Sequence, residues 1–398
     1  MRGAELRVLC FNDFFSANLG DRLLGRCLHH ALRQELDCRI DGWDIDGKGA
    51  PTTESAAPIR WSAKNLARSL MPRPLKTRLN VRRARSRLLS QWKASVNGSR
   101  ISAIVVGGGH LLTATTEYFP ARLNAVAELA RELGVGVHVH SVGVSHPDTW
   151  ETAAGEELRR FIGDESVASI SVRDGQSADY LAAAGVQKEN VRFALDPGFL
   201  AAKTFRVEKR PPGQRLRIGL GIMSPAVVQT IRTARSGIED DFWIAVAKHL
   251  VAAGVDVSLF TTGEAGDIRT AHRIATRLEE HGVAHDRGAI VPKDDSALVG
   301  SIASFDAIVA QRLHASIISY ALGVPSVGLG WEPKVRSFYH LIERLEYFVD
   351  DRDARPQDVS ARALQTARCE LDEALRNRHI ETCQDGVRSL ASLIAKGH

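Results

Sequence analysis

From residue 101 onward the chain repeats one pattern: a short apolar run, a turn bearing glycine, aspartate or arginine, then a longer stretch with apolar residues at helical spacing. Ile101–Val106, Val135–Val142, Val167–Val172 and Val191–Ala194 read as strands, and Tyr118–Leu133, Trp150–Ile162 and a stretch from Arg173-Asp174 to about Ala184 as the helices between them. Strands this short, separated each time by a helix, pair in parallel with helices packed on the sheet faces. Leu6–Phe11 supplies an earlier strand, and the run from Asp21 places Leu23, Leu24, Cys27, Leu28, Ala31 and Leu32 on one helical face. Residues 42–60, rich in Gly, Pro and Thr, read as loop.

The charged, Pro-Pro-Gly-containing segment 203–215 reads as a linker, after which the pattern restarts. Strands are expected at Leu216–Ile222, Val255–Phe260, Asp306–Ala310 and Ser326–Leu329, with helices at Asp240–Ala253, Asp267–His281, Ala297–Ala303 and Arg312–Leu322, and a helical tail from about Ser360. The expected architecture is α/β: two Rossmann-like domains with parallel sheets facing a central cleft, at 1–205 and 206–350, then a helical tail at 351–398. In such folds ligands sit beyond the carboxyl ends of the strands.

Composition narrows the function classes. At 44% hydrophobic and 25% charged residues the chain is not a disordered one, and no stretch approaches the ~18 uncharged apolar residues of a membrane span. The apolar run near the start is too short for a secretion signal. The five cysteines are odd in number and include no C-x-x-C pair, which reads as reduced thiols of a cytoplasmic protein. Residues 60–100 hold 12 cations and no Asp or Glu; the other 40 cations face 47 anions, so the rest of the chain is net −7 although the whole is +5. The basic segment is expected to be partly helical, broken at Pro72 and Pro74. Its aromatic residues are only Trp61 and Trp92, and no nucleic-acid-binding motif is present, so no nucleic acid is expected as partner.

Each candidate site residue lies where a strand ends. Asn18-Leu19-Gly20-Asp21 follows the first strand; Gly20 lets backbone approach a ligand, and Asp21 is either a helix-capping carboxylate or one aimed into the cleft as base or hydroxyl binder. Gly107-Gly108-Gly109-His110 could cradle an anion on backbone N–H groups, or serve only tight packing, but it is neither G-x-G-x-x-G nor a P-loop. Arg173 in Ser-Val-Arg-Asp suits carboxylate or phosphate recognition, against the plainer reading of an Arg–Asp surface pair. Gln311-Arg312-Leu313-His314 joins a strand to a helix N-terminus, where orphan N–H groups and a partial positive charge favour a small, doubly charged anion. Lys334 returns toward the same edge. His138 and His140 share a strand face without an evident third ligand, so a structural role outweighs a metal pair, and no metal is expected.

Taken in order, NLGD, VVGGGHLL, SVGVS, SVRD, DPGFL and QRLHASIISYALGVPSVGLGWEPK resemble the polysaccharide pyruvyl transferase family over roughly residues 6–340. The resemblance implies a GT-B-like fold without a metal requirement. It also implies transfer of pyruvate from phosphoenolpyruvate onto a sugar as a ketal, with phosphoenolpyruvate the donor substrate and no further cofactor. Asn18 and Asp21 match the family's N-x-G-D on the acceptor side, Arg173 its S-x-R-D, and Arg312, Leu313 and His314 its Arg-Leu-His set, implied in donor binding and acid chemistry. Where the family often ends in aromatic-Asp-x-Lys, this chain has Trp331-Glu332-Pro333-Lys334. The resulting expectation is Asp21 and His314 as catalytic residues, with His314 either a proton donor or a phosphate binder. Asn18, Gly20, Gly108, Gly109, His110, Arg173, Arg312, Leu313 and Lys334 are expected to bind substrate.

The implied acceptor is a sugar or lipid-linked oligosaccharide of a polysaccharide pathway. The apolar residues Trp61, Leu66, Leu70, Leu75, Leu79, Leu88, Leu89 and Trp92, interleaved with the cations of 60–100, suggest peripheral contact with the anionic inner face of the cytoplasmic membrane. Two other readings share the residues: a GT-B glycosyltransferase using a nucleotide sugar, with Glu332 on the ribose, and a non-catalytic sugar-binding component of an assembly complex.

Overall fold

The computed structural model describes residues 7–47, 73–96, 100–187, 191–211, 213, 215–231, 237–283 and 288–396. The chain divides into two compact units, one of Met1–Phe15, Leu28–Asp196 and Asp385–His398, the other of Ser16–Cys27 and Pro197–Gln384.

The first unit is built on six parallel strands: β1 (Arg7–Asn12), β2 (Arg39–Asp44), β3 (Ile101–Gly107), β4 (Gly136–Val142), β5 (Val167–Val172) and β6 (Val191–Phe193), in the order β2-β1-β3-β4-β5-β6. The second unit repeats the plan with β7 (Arg217–Gly221), β8 (Asp256–Phe260), β9 (Ala289–Ile290), β10 (Ala307–Ala310), β11 (Ser326–Gly330) and β12 (Phe348–Asp350), in the order β12-β11-β10-β7-β8-β9. The fold is thus α/β, with two parallel six-stranded sheets. Every residue of β3, β10 and β11 is buried, as expected for strands covered on both faces. The strand order reverses between β1 and β3 in one sheet and between β7 and β10 in the other. The crevice at such a switch point, outside the carboxyl ends, is where doubly wound sheets take ligands.

The strands that sequence patterning does not reveal, β2, β9 and β12, are all edge strands. An edge strand is held by backbone pairing more than by burial, so it needs no apolar run. β2 reads Arg-Ile-Asp-Gly-Trp-Asp and overlaps the region expected to be loop. The helix Pro333–Leu341 is likewise not evident from sequence.

The basic segment departs from expectation in a way that matters for its partner. Trp61, Leu66 and Leu70 lie outside the described residues. From Arg73 to Val96 the segment is one continuous helix; Pro74 falls in its first turn, where the missing N–H has no intrahelical acceptor to lose. Leu88, Leu89, Trp92 and Val96 are buried in the core of the first unit, with Trp92 edge-on to Phe11 at 4.7 Å between ring centroids. Arg85 and Lys93 pair with Glu128 and Glu132 of the helix Tyr118–Leu133. The apolar face at Leu88, Leu89 and Trp92 is therefore not available for insertion into a membrane; the exposed face carries Arg82, Arg83 and Arg87. No helix among the described residues is long and apolar enough to cross a membrane.

Candidate active site

In the second unit, β10 ends at Ala310 and the helix Leu313–Ala321 begins three residues later. Arg312 is the N-cap residue, with extended backbone (φ −76°, ψ 117°) and no side-chain cap bond. Its guanidinium is instead gripped by Asp267, a fully buried carboxylate of the helix Ala265–Glu280: Arg312 Nε donates to Oδ2 at 3.0 Å and Nη2 to Oδ1 at 3.2 Å. Asp267 Oδ1 also accepts from Ser224 N at 2.8 Å, which ties the turn after β7 to the turn after β10 at the switch point. Burial pushes the Asp267 carboxyl up; Arg312 and the Ser224 N–H oppose this without reversing it. The grip engages one edge of the guanidinium and leaves Nη1 without a protein partner among the described residues.

His314 sits one residue into the helix, with Nδ1 3.1 Å from Asp21 Oδ1. Asp21 belongs to the first turn of the helix Leu19–Glu35. It is not the cap, since Asn18 Oδ1 accepts from Gly20 N at 3.1 Å. Leu19 N donates to Thr262 O at 2.7 Å and fastens this helix start to the loop after β8. Burial alone would raise the Asp21 carboxyl, but the hydrogen bond and charge of His314, with the charges of Arg312 and Lys334, hold it below the usual carboxylate range. A Cβ on Gly20 would lie 2.7 Å from His314 Cβ, so the glycine of Asn-Leu-Gly-Asp is required by the histidine it faces. Leu313 is buried.

Trp331 Nε1 donates to Gln311 O at 3.1 Å, and Lys334 Nζ stands 5.3 Å from the centroid of the Trp331 ring while pairing with Glu332. The structure therefore brings Asn18, Gly20, Asp21, Arg312, Leu313, His314 and Lys334 together at the carboxyl edge of the second sheet. It adds Asp267, Ser224 and Glu264, which sequence reasoning missed. Their signal was weak: Thr-Thr-Gly-Glu-Ala-Gly-Asp follows a strand, but its acidic residues read as ordinary helix-start carboxylates.

Gly108, Gly109, His110 and Arg173 lie in the first unit. Gly108 and Gly109 take φ of 74° and 91°, a left-handed backbone suited to glycine, and Gly108 N donates to His140 O at 3.1 Å. Arg173 is buried and donates from Nη1 to Asp196 Oδ2 at 3.0 Å. His110 and Arg173 meet over Gly143, where a Cβ would lie 2.7 Å from His110 Nδ1 and 2.9 Å from Arg173 Nη2. His138 and His140 are also buried, with Nδ1 of each against a β5 hydroxyl, Ser169 at 2.9 Å and Ser171 at 3.2 Å. Burial drives both imidazoles down to about 4. Asp13, Asp44 and Asp46 gather oxygens within 4.8 Å of one another, and Arg122 pairs with Asp46 beside them.

Two parallel sheets, each with its switch point and its functional candidates beyond the carboxyl ends, define a GT-B-like protein. Solved structures of the same fold include a UDP-N-acetylglucosamine 2-epimerase candidate from Listeria monocytogenes (TM-score 0.58, 11% identity, 96% of this chain and 91% of that one). They also include the kitacinnamycin glycotransferase (TM-score 0.52, 12% identity, 100% of both chains) and a UDP-glucosyltransferase from Polygonum tinctorium (TM-score 0.51, 12% identity, 99% and 100%). No curated protein matches the sequence significantly. The family model for polysaccharide pyruvyl transferase matches residues 18–333, and the chain belongs to that family.

Proposed function

We propose that this protein transfers pyruvate from phosphoenolpyruvate onto a sugar of a polysaccharide or its precursor, forming a ketal and releasing phosphate, with the donor at the Arg312-Leu313-His314 turn. The observation that carries this reading is the Asp21–His314 contact of 3.1 Å beside Arg312 at a helix N-terminus. Phosphoenolpyruvate presents a phosphate and a carboxylate on a three-carbon frame. Arg312 Nη1, His314 Nε2, Lys334 and the helix start are donors suited to both groups. Asp21 holds Nδ1 of the imidazole and so leaves Nε2 to the donor.

The geometry supports a division of labour in which Asp21 orients rather than accepts. Asp21, depressed by its partners, suits orienting His314 better than accepting a proton at neutral pH. Glu332, the carboxylate a nucleotide-sugar reading would place on a ribose, is engaged by Lys334, which favours the pyruvyl reading over that alternative. Arg173 stays a proposed substrate residue on the family's pattern. A location at the cytoplasmic face of a membrane, through the exposed Arg82, Arg83 and Arg87, is part of the same proposal. The test is phosphate release from phosphoenolpyruvate across a panel of sugar acceptors. Release that depends on one acceptor class supports the reading, and none with any acceptor overturns it.

A further inference from the structure

Around the Arg312–His314 turn three pairs form among the described residues: Arg312 with Asp267, His314 with Asp21, Lys334 with Glu332. Glu264, beside them, makes no hydrogen bond or ion pair among the described residues. It is the N-cap residue of the helix Ala265–Glu280, yet its side chain does not cap that helix. The loop that carries it is clamped to the loop that carries Asp21. Thr262 O accepts from Leu19 N at 2.7 Å, and Gly263, at φ 99°, packs so closely on Ala17 that a Cβ would lie 2.7 Å from its carbonyl oxygen. Glu264 is half-buried there and within electrostatic reach of Arg312, Asp267 and Asp21.

We propose that Glu264 is a further acid–base residue of this site, one that takes up a proton when an anionic donor occupies the Arg312–His314 turn and delivers it to that donor. The proposal rests on the donor reading above. Of the carboxyls beside it, Asp267 is sealed from solvent and bonded at both oxygens, Glu332 holds Lys334, and Asp21 holds His314 Nδ1. Glu264 has no cation of its own among the described residues, so a phosphate or carboxylate arriving beside it leaves a repulsion that protonation relieves. The surroundings already lean that way. Burial raises the Glu264 carboxyl, Arg312 from the turn after β10 opposes, and Asp267 on its own helix and Asp21 on the helix Leu19–Glu35 add to the rise, for a net upward shift.

The chemistry requires one such proton. The Glu264 O–H bond breaks and its proton bonds to the methylene carbon of phosphoenolpyruvate through the enol π pair, leaving C2 electron-poor and Glu264 a carboxylate. A sugar hydroxyl oxygen then bonds C2 with its lone pair, and its proton returns to Glu264. A second hydroxyl displaces phosphate, which leaves with the C–O electron pair and carries off the second hydroxyl proton.

The test is calorimetry of phosphoenolpyruvate binding to the full chain at one pH in two buffers of different ionisation enthalpy, which counts the protons exchanged. The parent protein is expected to take up a proton on binding. Glu264→Gln, isosteric at a position without side-chain bonds, is expected to keep donor affinity within about threefold, lose the buffer dependence, and lose turnover by ~10²–10⁴-fold. Glu264→Asp should restore part of both, and unchanged unfolding midpoints exclude a folding defect. Proton uptake that survives Glu264→Gln, or turnover at the parent rate, overturns the assignment while leaving the donor reading intact. If the parent protein does not bind phosphoenolpyruvate at all, the donor reading falls and the Glu264 assignment with it.

Discussion

Gly20 lies against His314: a Cβ on the glycine would stand 2.7 Å from the histidine Cβ and 3.1 Å from Nδ1, the nitrogen that faces Asp21. Two sequence motifs almost 300 residues apart are thereby one packing unit. Gly20→Ala adds a single methyl inside a helix, where Ala is the better helix former by roughly 0.5–1 kcal/mol. Its closest clash is with His314 Cβ, with Nδ1 at 3.1 Å and Asn18 Oδ1 at 3.2 Å also pressed. The expected outcome is a loss of phosphate release by about 10–100-fold, equivalent to ~1.4–2.7 kcal/mol of transition-state stabilisation, with the far-ultraviolet circular dichroism unchanged. Parent-level turnover in Gly20→Ala would show that the histidine needs no fixed position.

Asp21→Asn tests the orienting role. The amide keeps the shape and can still bond Nδ1, but it lacks the carboxylate's charge. Turnover is expected to fall by up to ~10²-fold as the imidazole loses its fixed position, with donor binding weakened alongside, because His314 is one of the groups proposed to hold the donor. Because Asp21 is held below its ordinary range by its partners, its contribution to folding is present at neutral pH and is lost as pH falls through the depressed folded-state value. Acid unfolding of the variant should therefore lose part of the parent's low-pH slope. Equal acid slopes in the two proteins would count against the pairing.

Arg312→Ala should act on binding and on folding together. Removing a charge-assisted donor worth ~1.5–3 kcal/mol predicts about 10–100-fold weaker donor binding. It also strands Asp267, fully buried, without its cation, at a cost of up to ~3–5 kcal/mol. The double variant Asp267→Asn/Arg312→Ala should recover much of the stability and none of the donor binding. Denaturant midpoints and donor titrations on the three variants separate the two effects; recovery of binding in the double variant would remove Arg312 from the donor site.

The β4 histidines set an acid limit on folding. His138 and His140 are held neutral by burial, with folded values lowered from 6.5 to about 4. Above 6.5 they contribute nothing to pH dependence. As pH falls from 6.5 toward 4 the unfolded chain takes up protons that the folded chain does not, and stability drops by roughly 3 kcal/mol for each histidine at most. A His138→Gln/His140→Gln variant should show a flatter stability profile across that window, measured by urea unfolding at stepped pH. A profile as steep as the parent's would mean that the buried imidazoles are not the cause.

The helix Arg73–Val96 should separate by face. Trp92→Ala removes a buried ring stacked edge-on against Phe11 and is expected to cost ~3–5 kcal/mol of stability. Replacing Arg82, Arg83 and Arg87 with Gln should leave the unfolding midpoint nearly unchanged but reduce co-sedimentation with anionic vesicles at low salt. If the triple variant and the parent sediment alike, with or without salt, this helix is not a membrane contact.

What the chain announces locally is what local physics controls. Apolar runs and helical spacing between them locate the interior strands and most of the helices, because a strand buried on both faces must be apolar along its length. The residues of Asn18–Asp21 and Gln311–His314 stand out for a similar reason: polar and glycine residues at a strand's carboxyl end have few structural roles to play. The edge strands β2, β9 and β12 were silent because pairing, not burial, holds them. Only the tertiary structure shows that Arg312 is fixed by Asp267, that Asp21 contacts His314 while Asn18 does the capping, that Gly20 packs on a histidine, and that Glu264 has no ion pair among the described residues. Each of these depends on which charge ends nearest which other charge. That pairing is decided by the path of the backbone through the switch point, where residues far apart in sequence come within a few ångströms and short-range electrostatics and sterics take over.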